Sequence, residues 1–385
     1  MELARRNPAR RLGRDPAAAW RHLDLVLIGC VAAVAALGVL MVYSATRGPG
    51  GADPFDTTFL KRQALFVVVG FGVMAVVSAI DYRRFRDLAP FLYVGVVALL
   101  LLVVSPLGSN RKGAQAWFDL GLFQLQPSEF TKLAVVIGLA AILANFRDEL
   151  DLRRITIILG LVVMPLGMIM LQPDLGTALI IVAITAGVLL VGGADHRHLL
   201  ALVGSGVLAA VVVLNTPMLE DYQRARLTTF LSQDSDRSET ARGEAYNLNQ
   251  SKIAIGAGGA FGRGLFGGSQ TRLRNVPEQH TDFIFTAVGE ELGFVGAGTL
   301  LALFGILCWR IWRTAQLARD DYGTLVCAGV LSMLLFQIFQ NVGMTMGIMP
   351  ITGIPLPFMS YGGSSTVASF AAMGLVLNVH SRRFA

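Results

Sequence analysis

Apolar residues run through this chain in blocks too long for a soluble core, separated by short polar clusters. A helix needs about 20 apolar residues to cross the hydrocarbon core of a bilayer. Blocks of that kind begin near Leu23, Ala64, Phe91, Ser128, Ile155, Leu175, Leu199, Phe283, Thr324 and Ser364. The pattern predicts an all-α, polytopic transmembrane bundle of about ten spans. The first block, 23–43, is too long for the apolar region of a cleaved signal peptide and reads as a retained anchor. The one long polar stretch, 216–281, falls between spans seven and eight as a large extracytoplasmic loop. It carries acids (Glu220, Asp221, Asp234, Asp236) beside bases (Arg224, Arg226, Arg237, Arg242). Loops this long are functional or disordered.

Composition supports the membrane reading. Apolar residues make up 54% of the 385 and charged residues 15%, against about 25% charged in an ordinary soluble domain. Mean hydropathy is +0.59. Length alone suggests two or three soluble domains; the apolar blocks replace that expectation with one membrane domain, 23–380. A basic cytoplasmic segment, 1–22, precedes it and a short cytoplasmic tail, 381–385, follows. The net charge of +6 does not point to nucleic acid, because Lys and Arg sit in short blocks between apolar runs. Arg83, Arg84 and Arg86, then Arg147, Arg153 and Arg154, then Arg310, Arg313 and Arg319, then Arg382 and Arg383 all fall on one side when the spans are even in number. Together with the basic N-terminal segment they place both termini in the cytoplasm. Cys30, Cys308 and Cys327 are odd in number and lie in apolar runs, so they read as buried thiols and not as a disulfide framework or zinc site.

Four polar motifs interrupt the apolar pattern: Gln126-Pro127-Ser128-Glu129 with Lys132, Gln172-Pro173-Asp174, Pro277 to Asp282, and Ser360 to Ser365. Each opens a span running inward from outside. Helix N-termini offer unpaired N–H groups and partial positive charge, and several together suit a phosphate or pyrophosphate. Pro, Ser and Asp are equally ordinary helix-start residues, so each motif alone also reads as capping. Glu129 and Lys132 share a helix face and form either a structural ion pair or a functional one. Glu290 and Glu291, about two turns below Asp282, are structural or substrate-supporting. Asp282 stands where loop becomes span, the position required of a base that deprotonates a sugar hydroxyl beside a membrane. A glycine-rich stretch, 256–268, with Lys252, Arg263, Arg272 and Arg274, reads as an anion-wrapping loop or a plain surface loop. The Gly262 to Gly267 match to a dinucleotide fingerprint lacks its strand–turn–helix setting. Ser109-Asn110-Arg111-Lys112 has no K-T-G after it, so the chain is not itself a penicillin-binding transpeptidase.

At these residues the chain resembles the SEDS family of shape, elongation, division and sporulation proteins. The blocks are Gly113 to Trp117, Gln126 to Lys132, Gln172 to Thr177, Pro277 to Phe285, Gly289 to Gly293, Pro350 to Phe358 and Ser360 to Ser365, in order over nearly the whole chain. Pro277 to Asp282 and Gln340 to Met344 are more similar to the RodA branch than to the division branch, FtsW. The resemblance implies a peptidoglycan glycosyltransferase of the bacterial cytoplasmic membrane, polymerising lipid II on its outer face for elongation and shape. It implies a class B penicillin-binding protein as transpeptidase partner. Asp282 matches the family's essential aspartate, and Trp117, Glu129, Lys132 and Glu278 match further site positions.

Ala116 stands where the family often carries a base, and Gln124 where some division-type members carry Arg. Cationic help for the leaving pyrophosphate would then come from Arg111, Lys112, Lys132 or the glycine-rich loop, aided by a divalent cation (Mg or Mn). His280 and Ser364 complete the expected substrate-binding set, with Asp174 as support. The same intramembrane charges would suit a precursor flippase, but the motifs crowd one side and no inverted repeat is evident. A division-type paralogue or a non-catalytic scaffold of a cell-wall synthase would also carry these motifs.

Overall fold

The computed structural model describes residues 22–47, 57–111, 114–121, 123–146, 152–195, 197, 200, 204 and 239–383. Among them the helices are α1 (Leu25–Thr46), α2 (Thr58–Ala79), α3 (Tyr82–Val104), α4 (Pro127–Leu143), α5 (Leu152–Leu171), α6 (Leu175–Val191), α7 (Glu239–Gly258), α8 (Ser269–Arg272), α9 (Ile284–Gln316), α10 (Asp321–Met346) and α11 (Gly363–Ser381). Four of them start on an aspartate whose carboxylate takes an otherwise unpaired N–H: Asp24, Asp81, Asp174 and Asp320.

Six helices, α1, α2, α3, α5, α9 and α10, are long and apolar enough to cross a membrane. The chain is a multi-pass helical protein. Among the described residues that measure does not reach the expected count of about ten spans. Helices α4 and α6 have only 17 residues each. Helix α11 carries Ser364, Thr366, Ser369, Asn378 and His380, all buried inside the bundle. The span expected from Leu199 lies outside the described residues, as does most of 196–238.

Two elements were not foreseen. Residues 239–258, read as loop, form α7, which packs on α9 and α10. Its Ser251 hydroxyl meets Thr286 (2.8 Å) and donates to the Thr345 carbonyl (2.7 Å). Residues 109–125 form an antiparallel sheet of β1 (Ser109–Arg111), β2 (Ala114–Asp119) and β3 (Gln124–Leu125) in that order. Trp117 faces Ser109 and Phe118 faces Leu125.

Hydrogen bonds sort the helix ends into two groups. At one end Asp24 receives Arg310 through Nε (2.7 Å) and Nη2 (2.6 Å), and His380 lies 3.9 Å from the same oxygen. Asp320 there accepts from the Tyr82 hydroxyl (2.7 Å) and Arg83 (3.4 Å). The first described helix and the last therefore end side by side. Three arginines of the basic blocks, Arg83, Arg310 and Arg382, have carboxylate partners. At the other end lie the sheet, the starts of α4, α6, α9 and α11, and α8.

Helix α9 is broken at Gly293 (φ 66°, ψ −165°), just after Glu290 and Glu291. The backbone groups released there are taken by the glycine-rich loop. Arg263 and Gly264 donate to the Glu290 and Glu291 carbonyls (3.0 Å each), and Phe294 and Val295 donate to Gly259 (2.9 Å) and Ala260 (3.0 Å). Irregular backbone at membrane depth persists only where protein satisfies it.

Candidate active site

The loop into α9 is wound about one carbonyl. The Glu278 oxygen accepts from Thr281 (3.2 Å), Asp282 (3.1 Å) and Phe283 (3.4 Å), turning the chain sharply into the helix. Glu278 holds this turn with φ +51°, a conformation unusual for a residue with a side chain. Backbone in such sparsely populated regions concentrates at functional sites. Asp282 follows, partly exposed, at the last position before α9 begins its buried run.

Three different elements fix that loop. Asn341, fully buried on α10, donates from Nδ2 to the Asp282 carbonyl (2.8 Å) and to the Ile354 carbonyl (2.7 Å). The Tyr361 N–H donates to the His280 carbonyl (2.9 Å), while the His280 ring packs edge-on to Phe59 and beside Tyr361. Buried Gln279 donates to the Thr271 hydroxyl (3.0 Å), which itself donates to Glu290 (2.7 Å). Glu290 also accepts the Gln270 and Thr271 N–H groups (2.8 and 2.9 Å), so its carboxylate closes the start of α8. Glu291 takes the Ser44 hydroxyl of α1. Both glutamates thus have structural partners.

The segment from 350 to 364 joins this loop to the other motifs. Gln63, buried on α2, donates to the Ser360 carbonyl (3.2 Å) and accepts from Gly362 (3.4 Å). The Ser364 hydroxyl accepts from the Gln126 N–H (3.0 Å) and donates to the Gln124 carbonyl (2.9 Å). The Ser364 hydroxyl thereby clamps α11 to β3. Asp174 caps α6 through Thr177 and also meets Gln126 and Ser128 at 3.4 Å. All four sequence motifs are linked in this way.

Glu129 and Lys132 form a 2.8 Å ion pair with both side chains almost wholly buried. Trp117 sits half-buried on the middle strand, and Ala116 beside it points inward. Arg111 lies on β1 opposite Ala114; Lys112 is outside the described residues. Among the described residues no three His, Cys, Asp or Glu side chains gather in a way that could hold a metal ion. The cysteines are free thiols, Cys30 and Cys327 buried.

Sequence reasoning gave no role to Asn341, Gln63 or Thr271, while Tyr361 lies inside the Ser360 to Ser365 motif it had singled out. A signal was available for two of them, since an amide inside an apolar span is expensive unless it serves a purpose. Thr271 offered none.

The chain is similar throughout its length to known proteins. The family model described as a cell cycle protein, covering FtsW, RodA and SpoVE, matches residues 24–384. The probable peptidoglycan glycosyltransferase FtsW of Trichlorobacter lovleyi is 37% identical over 92% of either chain. The peptidoglycan glycosyltransferase MrdB of Escherichia coli K12 is 36% identical over 94% of either chain. Stage V sporulation protein E of Bacillus subtilis is 39% identical over 92% of this chain and 96% of its own. Among solved structures, a chain of a peptidoglycan synthase complex that coordinates polymerization and crosslinking superposes with a TM-score of 0.79 at 34% identity, covering 94% of this chain and 99% of that one. The rod shape determining protein RodA of Thermus thermophilus superposes with a TM-score of 0.70 at 32% identity, covering 95% and 99%. This chain belongs to the SEDS family of FtsW, RodA and SpoVE.

Proposed function

We propose that the protein is a peptidoglycan glycosyltransferase that polymerises lipid II at the outer face of the bacterial cytoplasmic membrane. The observation that carries the reading is the likeness, over more than nine-tenths of the chain, to relatives named for that activity. Within that frame Asp282 is the candidate base. The 4-hydroxyl of a lipid II GlcNAc attacks the anomeric carbon of a lipid-pyrophosphate-linked MurNAc. The new bond to that carbon forms as its bond to the pyrophosphate oxygen breaks. The hydroxyl proton passes to the Asp282 carboxylate, and the lipid pyrophosphate leaves with its negative charge.

That charge needs cationic neighbours. Arg111, Lys112, Arg263, Arg272 and Arg274 are the candidates, because Lys132 is already neutralised by Glu129. A divalent cation would be held here by one or two carboxylates together with the substrate's phosphate oxygens, the usual way magnesium is bound, since no all-protein cage exists among the described residues. Trp117, Glu278 and His280 are the proposed sugar-side contacts. The termini face the cytoplasm, and 216–281, with α7 and α8 inside it, lies outside. The partner is a class B penicillin-binding protein, a reading supported by the synthase complex among the structural relatives. Pro277 to Asp282 and Gln340 to Met344 favour a role in elongation over division.

The test is polymerisation of purified lipid II by the detergent-solubilised chain, with and without a class B partner, against Asp282→Asn. Glycan strands from the wild type and none from a folded Asp282→Asn are expected. Full activity of Asp282→Asn would remove the base from the mechanism. No strands under any condition would remove the activity itself.

A further inference from the structure

We infer that Asn341 is a positioning residue for the transfer reaction, setting the direction from which the Asp282 side chain leaves its loop; this rests on the reading of Asp282 as the base. Asn341 sits in the last third of α10, next to buried Gln340, with no exposed surface. A buried amide in that setting is costly unless its donors are used. Both are used, and both on main chain: the Asp282 carbonyl at 2.8 Å and the Ile354 carbonyl at 2.7 Å. One side chain therefore bridges two segments 72 residues apart (354 − 282) at the same point.

The two carbonyls have different standing. Ile354 belongs to the connector that also presents Tyr361 to His280 and Ser360 to Gln63. Asp282 belongs to the turn into α9. At Asp282 the N–H is taken by Glu278 and the C=O by Asn341, so both ends of its peptide frame are held. A base must meet its hydroxyl within a narrow distance and angle. Packing alone would bury the segment but would not fix the rotation of this one residue; a directional bond to its carbonyl does. Among the described residues the polar contacts of the Asn341 side chain are the two made by Nδ2.

A residue acting in this way alters turnover and leaves substrate affinity alone. The full-length chain, purified with a class B penicillin-binding protein, is assayed for lipid II polymerisation as wild type, Asp282→Asn, Asn341→Leu, Asn341→Ser and Asp282→Asn/Asn341→Leu, with thermal unfolding of each. Leucine matches the amide in size but cannot donate; serine keeps one donor. Asn341→Leu is expected to lower kcat by roughly 10–100-fold, the scale of a misplaced reacting group, with KM for lipid II nearly unchanged. Asn341→Ser is expected to recover part of the loss. The double variant is expected to be no slower than Asp282→Asn alone, because there is no carboxylate left to position.

A folded Asn341→Leu protein with wild-type kcat, or one whose loss lies wholly in KM, overturns the inference while Asp282 keeps its role. Wild-type rates from Asp282→Asn overturn the role of Asp282 itself. If Asn341→Leu does not fold, Asn341→Ser carries the same comparison, and wild-type turnover combined with a lowered unfolding temperature would mark Asn341 as structural only.

Discussion

Lys132 and Glu129 are three residues apart on one face of α4 and pair with each other, both side chains buried. Removing a charge from water costs several kcal/mol, and a close partner returns roughly that amount. Breaking the pair is therefore worse than never having it. Lys132→Met alone should lower stability by about 3–5 kcal/mol, whereas Glu129→Gln with Lys132→Met should recover most of the loss. Thermal unfolding of the three proteins in one detergent decides it; equal losses in the single and double variants would show that the pair has another purpose. This pairing was legible from spacing alone. For Glu290 and Glu291 only the need for a partner was legible. Ser44, about 250 positions away, and the N–H groups of a four-residue helix become neighbours only through tertiary packing.

Helices formed by long apolar runs were readable, and elements stabilised by contact were not. In α7, Ala245, Leu248, Ser251 and Ala254 make a narrow buried stripe on an otherwise polar helix. Neither a wide apolar face nor a continuous run marks it, so it reads as loop. The sheet at 109–125 lacks clear alternation because Ala116 is the only buried position on β2. The break in α9 was hidden because glycine at 293 also fits an ordinary helix, and the apolar run that follows it reads as one continuous span. Its φ of +66° and the closeness of the Gly262 nitrogen, with which an added Cβ would collide, make the position intolerant. Gly293→Ala should cost more than the about 1–3 kcal/mol of strained backbone alone. Faster proteolysis within 256–268 should accompany the loss. A native unfolding temperature would mean that the helix can heal its break.

At the scale of the whole molecule, two polar clusters tie the two ends of the bundle, and an apolar middle lies between them. Asn378 anchors one end by using its whole amide. Its Oδ1 accepts from the Tyr82 N–H (3.1 Å) and Arg382 (2.9 Å), and its Nδ2 donates to the Val77 (2.7 Å) and Ile80 carbonyls. It thereby joins α11 to the corner between α2 and α3. Asn378→Leu strands several buried groups at about 1–3 kcal/mol each. The variant should unfold at a markedly lower temperature, and lipid II polymerisation should fall only in step with the folded fraction. A selective loss of turnover in fully folded protein would contradict a purely architectural part for this end.

The connector between α10 and α11 has a consequence in time. Translation delivers the loop at 278–282 well before the residues that hold it, since Asn341, Ile354, Tyr361 and Ser364 all emerge later. A nascent chain can place most of its helices in the bilayer while its chemistry is still unassembled. Residues 341–364 follow the loop in the chain and hold it, so a product that stops before them would carry the 278–282 loop without its anchors.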